Sequence, residues 1–247
     1  MGWKIYPVFL GKTTVDKSAF IYRNPIGEII EDSFGCFVLK NGDEVVLFDS
    51  GIPSQSEIRR IGLTFGYMDN APDPIESIEK VAGVKAEEIK TIVLSHLHWD
   101  HAWNLGKFSN AQIYVQREEM RYAIAPHEHG RAAYTLSQHV EGCPDWLKAI
   151  DRIIPLDGDT KICPGLKAIT TPGHTPGSQS LLVETAAGLY ALVSDFALCY
   201  ENYTDCRPIA IFTSADDWYS SYRKIKKLAP IILPTHEVSV FDQTCYG

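Results

Sequence analysis

Short apolar runs punctuated by turn residues recur along the whole chain. Residues 5–10, 18–22, 35–39 and 44–48 are rich in β-branched and aromatic side chains and read as strands, with Asn41-Gly42-Asp43 as a hairpin turn between the last two. A short helix is expected over 57–63, inside a loop-like stretch from 52 to 73 whose Phe65, Tyr67 and Met68 favour packing over a pocket. Asp73-Pro74 opens a second helix with Ile75, Ile78 and Val81 or Ala82 along one face. The run 91–94 is too short and too β-branched for a helix and reads as a buried strand. Beyond it come a strand over 112–115, a helix over 117–124, and strands over 153–156, 160–163 and 166–169. Two further strands span 179–184 and 189–193, joined at Ala187-Gly188. Ser214-Ala215-Asp216-Asp217 resembles a capping box before a helix carrying Trp218, Tyr222, Ile225 and Leu228. Its basic run, 223–227, complements the helix dipole and reads as a solvated face. Pro230 ends that helix, and 231–233 is a last buried strand. Strands alternating with helices indicate an α/β fold.

Composition narrows the classes. At 247 residues, 45% apolar and 22% charged, the chain can form one α/β domain over 1–247 with a sizeable core. A net charge of −8 argues against a nucleic-acid surface. No apolar run approaches the ~20 residues of a membrane span, and Met1-Gly2-Trp3-Lys4 leads into a strand instead of a secretory signal. Six scattered cysteines (36, 143, 163, 199, 206 and 245) without a C-x-x-C pair suit free thiols in the cytoplasm.

The chemistry concentrates in Ser95-His96-Leu97-His98-Trp99-Asp100-His101, which leaves the C-terminal end of the strand at 91–94. Open α/β sheets bind ligands at that end. Four imidazole and carboxylate groups within six positions leave a metal site as the economical explanation. Two Pro-Gly turns bracket His174 in Thr171-Pro172-Gly173-His174-Thr175-Pro176-Gly177, fixing the backbone around one imidazole. Asp195 closes the strand at 189–193, and His236 follows the last strand. Asp49, at another strand end, is either a turn residue or a carboxylate that orients a ligand histidine. His127-Glu128-His129 has ligand-like spacing but no strand behind it and reads as exposed loop.

The uninterrupted H-x-H-x-D-H run, followed in order by His174, Asp195 and His236, resembles the metallo-β-lactamase superfamily over the whole chain. The resemblance implies a four-layer αβ/βα sandwich in one domain. It also implies two divalent metal ions, one on His96, His98 and His174, the other on Asp100, His101 and His236. Asp195 and a water or hydroxide would bridge them. A donor set of N and O atoms without thiolate suits Zn2+, with Mn, Fe or Co also compatible. Within the superfamily, length and the Gly173-His174-Thr175-Pro176-Gly177 turn look most like the N-acyl-homoserine lactonases and pyridoxolactonases. That likeness implies attack of the bridging hydroxide on a ring carbonyl, with Asp100 delivering a proton to the leaving alkoxide. The expected partner is a small cyclic ester or amide. Other metallohydrolase substrates (thioesters, phosphoesters) and an iron-dependent oxygenase are the alternatives. Two positions depart from the lactonase pattern: Leu198 stands where those enzymes carry tyrosine, and Ser178 where they tend to carry histidine. Tyr200 or Tyr203 are candidate substitutes for that phenol. Trp99 and Trp103 either narrow the mouth of the site or belong to the core.

Overall fold

The structure is a computed structural model that describes residues 2–61, 71–136, 144–228 and 230–247. Phe65, Tyr67, Met68, His139 and Cys143 lie outside the described residues.

Two sheets carry the fold. The first contains β1 (Lys4–Asp16), β2 (Ile29–Asn41), β3 (Glu44–Phe48), β4 (Thr91–Val93), β5 (Gln112–Gln116) and β6 (Ile153–Leu156), in that spatial order. Its first three strands are antiparallel, and β3 to β6 run parallel. The expected hairpin joins β2 to β3: Asn41 pairs with Glu44, and Gly42 takes the left-handed conformation at φ 62°. Parallel neighbours need crossovers, and α1 (Gln55–Ile61), α2 (Pro74–Ala82) and α3 (Arg117–Ile124) lie in those connections. The second sheet contains β7 (Thr160–Cys163), β8 (Leu166–Thr170), β9 (Gln179–Thr185), β10 (Gly188–Leu192) and β11 (Ile231–Leu233), ordered β11-β10-β9-β8-β7. Only β10 and β11 are parallel within it. A short helix, α4 (Tyr200–Thr204), and the long α5 (Ala215–Leu228) sit in the crossover between them.

The period-two alternation of each strand sorts its side chains into separate cores. Phe37, Leu39, Val46 and Phe48 point inward against Leu181, Val183, Leu192 and Leu233 of the other sheet. Their sequence neighbours Cys36, Val38 and Leu47 face the opposite way, onto Ile58, Ile78 and Ala123 of the three helices. On the far side, Leu182, Ala191 and Val193 pack against Trp218 and Ile225 of α5. Helices, sheet, sheet and helix therefore form the four layers expected. Local chemistry agrees: the Asp73 carboxylate accepts from the backbone N–H of Ile75 and Glu76, Pro74 occupies the first turn, and Gly83 closes α2 at φ 63°.

The strand expected at 18–22 does not form. The Asp16 carboxylate accepts from the backbone N–H of Ser18 and of Gly27, folding 17–19 into a helical turn. Only Ile21 makes a bridge, to Ile209. Among the described residues no helix is long and apolar enough to cross a membrane.

Candidate metal centre

The strand ends of both sheets converge at one edge. Ser95 to His101 follow β4, Asp49 follows β3, Asp195 follows β10, His236 follows β11, and the turn 171–178 joins β8 to β9. The two sheets are tied directly there: Gln179 donates its backbone N–H to Ser95 O and its side-chain amide to Leu94 O. After His98 the chain coils into a tight turn in which the N–H groups of His101 and Ala102 both point to His98 O.

All seven residues anticipated as ligands meet at this edge. His96, His98 and His174 form one group, and Asp100, His101 and His236 another; each is close enough to hold an ion, and His96, His101 and Asp195 connect the two. The Asp195 carboxylate lies between the groups. Its Oδ1 is 3.1 Å from His101 Nε2 and 3.2 Å from His236 Nε2. Its Oδ2 is 3.2 Å from His174 Nε2 and 3.9 Å from His96 Nε2. Asp100 Oδ2 lies 3.5 Å from His101 Nε2 and 3.8 Å from His236 Nε2.

Four of the five imidazoles, those of His96, His101, His174 and His236, are aimed by a bond on the nitrogen that faces away from the centre, while His98 Nδ1 lies 3.0 Å from His174 Nε2. Asp49 is fully buried and is an orienting carboxylate as well as a turn residue, at φ 59°. Its Oδ2 takes His101 Nδ1 at 2.9 Å and the Ser95 hydroxyl at 2.9 Å, while Oδ1 accepts Ser95 N–H at 2.7 Å. The Ser95 hydroxyl in turn meets His96 Nδ1 at 2.9 Å and accepts from the Ser194 hydroxyl. His174 Nδ1 donates to Ile211 O at 2.8 Å, and His236 Nδ1 to Asp32 Oδ1 at 2.8 Å. Such partners fix the tautomer and leave the other nitrogen's lone pair facing the centre. The Nε2 atoms of His96, His101 and His236 are buried with no hydrogen-bond partner. Three orphaned imidazole nitrogens around a shared carboxylate are costly without a cation, so the donor set fits divalent ions.

The electrostatics divide the site. Burial and the neighbouring His101 and His98 rings hold His96 well below its usual range, and burial with His174 brings His98 to about 3. Burial opposes protonation of His101, but Asp100, Asp195 and Asp49 outweigh it and raise the ring well above its usual range. His236 is raised likewise by Asp195 and Asp32 against burial. Asp195 is depressed well below the usual carboxylate range, because His101, His236 and His174 overcome its burial.

A cavity of about 380 Å³ opens over this centre, floored by Asp100, Asp195 and His236 and walled by Phe20, Phe34, Trp99, Leu198 and Ile211. Leu198 thus faces the site. Neither Tyr200 nor Tyr203 lines the cavity: Tyr203 packs against Tyr222, and Tyr200 sits against the Tyr190–Val240 core. Trp99 contributes to the wall, whereas Trp103 belongs to the core at 1% exposure. His127 and Glu128 are exposed and belong to none of the ligand groups; they line an adjoining cavity that His98 and His174 also border. Asp32 and Ser194 were not anticipated. Asp32 and Ser33 are polar residues that open the buried stretch of β2, just after the exposed Glu31, a signal that only strand pairing makes readable.

This centre, set at the edge of a four-layer sandwich, defines a class, and the comparisons agree: the family model described as Metallo-beta-lactamase superfamily matches residues 36–191. The chain belongs to the metallo-β-lactamase superfamily and is a metal-dependent hydrolase. Within it, the N-acyl homoserine lactonase of Bacillus cereus is 32% identical over 254 aligned positions, covering 95% of this chain and 93% of the relative. A solved N-acyl homoserine lactone hydrolase with its product N-hexanoyl-L-homoserine bound at the catalytic metal center is similar at TM-score 0.76 and 28% identity, covering 97% of this chain and 95% of that one. A mutant of B. thuringiensis AiiA with N-decanoyl-L-homoserine bound at the active site aligns at TM-score 0.77 and 28% identity, with the same coverage.

Proposed function

We propose that the chain opens a lactone or related small cyclic ester or amide at a site for two divalent ions, Zn2+ by preference. His96, His98 and His174 hold one, Asp100, His101 and His236 the other, and Asp195 is shared. The supporting observation is the Asp195 carboxylate, which turns one oxygen toward each histidine group. Ions bound there supply Lewis acidity and a water activated near neutral pH.

The chain's own residues do the rest. Asp100 lines the cavity and is ionised, since His101 lowers its carboxyl against the effect of burial. It accepts the proton of the attacking water and returns it to the alkoxide that leaves the ring. Phe34, Trp99 and Leu198 present apolar surface to the body of the substrate and exclude bulk water. With Leu198 in the wall and no tyrosine among the described residues lining the cavity, none of them offers the carbonyl oxygen a phenolic donor, a loss that typically costs ~10²–10³ in rate. Compact aromatic or heterocyclic ring substrates are therefore favoured over long-chain acyl-homoserine lactones.

The experiment combines metal analysis with kcat/KM across both substrate classes, plus thioester and phosphoester controls. About two ions per chain, loss of activity with a chelator, and the best values on compact rings are expected. Full activity with at most one ion sinks the two-ion reading. A long-chain acyl-homoserine lactone ranking above every compact ring sinks the substrate assignment.

A further inference from the structure

Behind the His96, His98 and His174 group lies a second carboxylate that the chemistry above does not use. Glu119, in the first turn of α3, is completely buried. Its Oε1 accepts the backbone N–H of Leu97 at 3.0 Å, in the peptide between His96 and His98, and the Tyr134 hydroxyl at 2.7 Å. Its Oε2 accepts the hydroxyl of Thr175, the residue after His174, at 2.5 Å. The Tyr134 ring in turn stands edge-on to His98, with centroids 4.6 Å apart. The contact is tight on the backbone side as well. A Cβ on Gly177 would fall 2.1 Å from Glu119 N, so the His174 turn rests directly on the start of α3.

We infer that Glu119 is a positioning residue for one ion only, the one assigned to His96, His98 and His174. A single carboxylate joins two loops that are far apart in sequence, and each of its three bonds ends beside a ligand of that group: on Leu97 between His96 and His98, on Tyr134 against the His98 ring, and on Thr175 next to His174. Among the described residues its bonds end on no neighbour of His101 or His236, which are oriented by Asp49 and Asp32. Three charge-assisted bonds to a buried carboxylate resist thermal wandering of the loops. The residue therefore shapes one ion's affinity without touching that ion. The inference rests on the two-ion assignment above.

The test is a zinc titration of chelator-stripped protein against a chromophoric competitor, which reads affinity and not turnover. Glu119→Ala is expected to weaken one of the two ions by ~10–100-fold, the usual scale for outer-shell partners, and to spare the other. Glu119→Gln keeps an oxygen for Leu97 and Tyr134 and donates its amide to Thr175, whose hydroxyl can then turn to Ser178 Oγ at 2.6 Å. It should retain most of the affinity. Thr175→Val removes a single bond and guards against a Glu119→Ala protein that does not fold; it should weaken the same ion to a smaller degree. In a His98→Ala background, adding Glu119→Gln or Thr175→Val should leave the remaining ion unchanged. Two ions in the wild type, with Glu119→Ala or Thr175→Val weakening both equally or neither, overturns the Glu119 assignment alone. A wild type that binds fewer than two ions overturns the two-ion reading and this inference with it.

Discussion

Asp49→Asn isolates orientation from composition at the centre. Asparagine has nearly the size of aspartate and tolerates the left-handed backbone that Asp49 adopts at φ 59°. The backbone is therefore not the perturbation. The amide oxygen can replace Oδ1 and keep the 2.7 Å bond from Ser95 N–H. The NH2 group then replaces Oδ2, where it meets the Ser95 hydroxyl and His101 Nδ1, both at 2.9 Å. Both of those groups donate in the parent. To accept from the new amide, His101 must carry its proton on Nε2, the nitrogen 3.1 Å from Asp195 Oδ1. A protonated Nε2 has no lone pair for an ion.

The alternative for Asp49→Asn is to keep the tautomer and leave two buried donors facing each other, at about 1–3 kcal/mol for each unsatisfied group. Either way the ion at the Asp100, His101 and His236 group should bind ~10–100-fold more weakly, about 1.4–2.7 kcal/mol, with kcat/KM falling by a similar factor. Competition titration of stripped protein measures the affinity, and circular dichroism shows whether the fold is kept. A folded Asp49→Asn protein with parental affinity for both ions would refute the role given to this carboxylate.

Asp195→Ala should lower occupancy of both ions, while Asp49→Ala keeps much of the metal and slows turnover by ~10–100-fold; equal metal loss in the two variants, by elemental analysis, would contradict that division. Leu198→Tyr should raise kcat/KM for acyl-homoserine lactones, recovering part of the ~10²–10³-fold attributed to a missing donor; its backbone N–H stays bonded to Asn202 Oδ1, and an unchanged substrate ranking would count against the assignment. The metal-stripped protein should lose stability as pH falls from about 6.5 toward 3. Burial first, then neighbouring rings, hold His96 well below its usual range and His98 at about 3, so in this window the unfolded chain binds more protons than the folded one. The raised His101 and His236 keep their stabilisation at these pH values and lose it only at higher pH; a melting temperature that rises on acidification of the stripped protein would refute the argument.

What could be read without coordinates follows from how far each interaction reaches along the chain. The strands were legible because their alternation is local, and the two-sheet core repeats it: Leu181 and Val183 face in, Leu182 faces out. The ligands were legible because four of them are contiguous and the others mark strand ends or tight turns. The strand expected at 18–22 failed on a single side chain, since Asp16 bonds across a gap of eleven residues to Gly27 and diverts the backbone. Trp103 and Trp99 are indistinguishable by composition, four residues apart, yet one is core and the other borders the cavity. The supports of the centre were the hardest to see. Asp32 meets His236 across 204 positions, and Glu119 meets Thr175 across 56. Each is the buried member of a pair of adjacent acids, beside Glu31 in β2 and Glu118 in α3, and the sequence does not say which of the two turns inward. A motif therefore supplies the kinds of donor present, but the lone-pair directions that decide affinity are set by pairs whose proximity is a product of the finished fold.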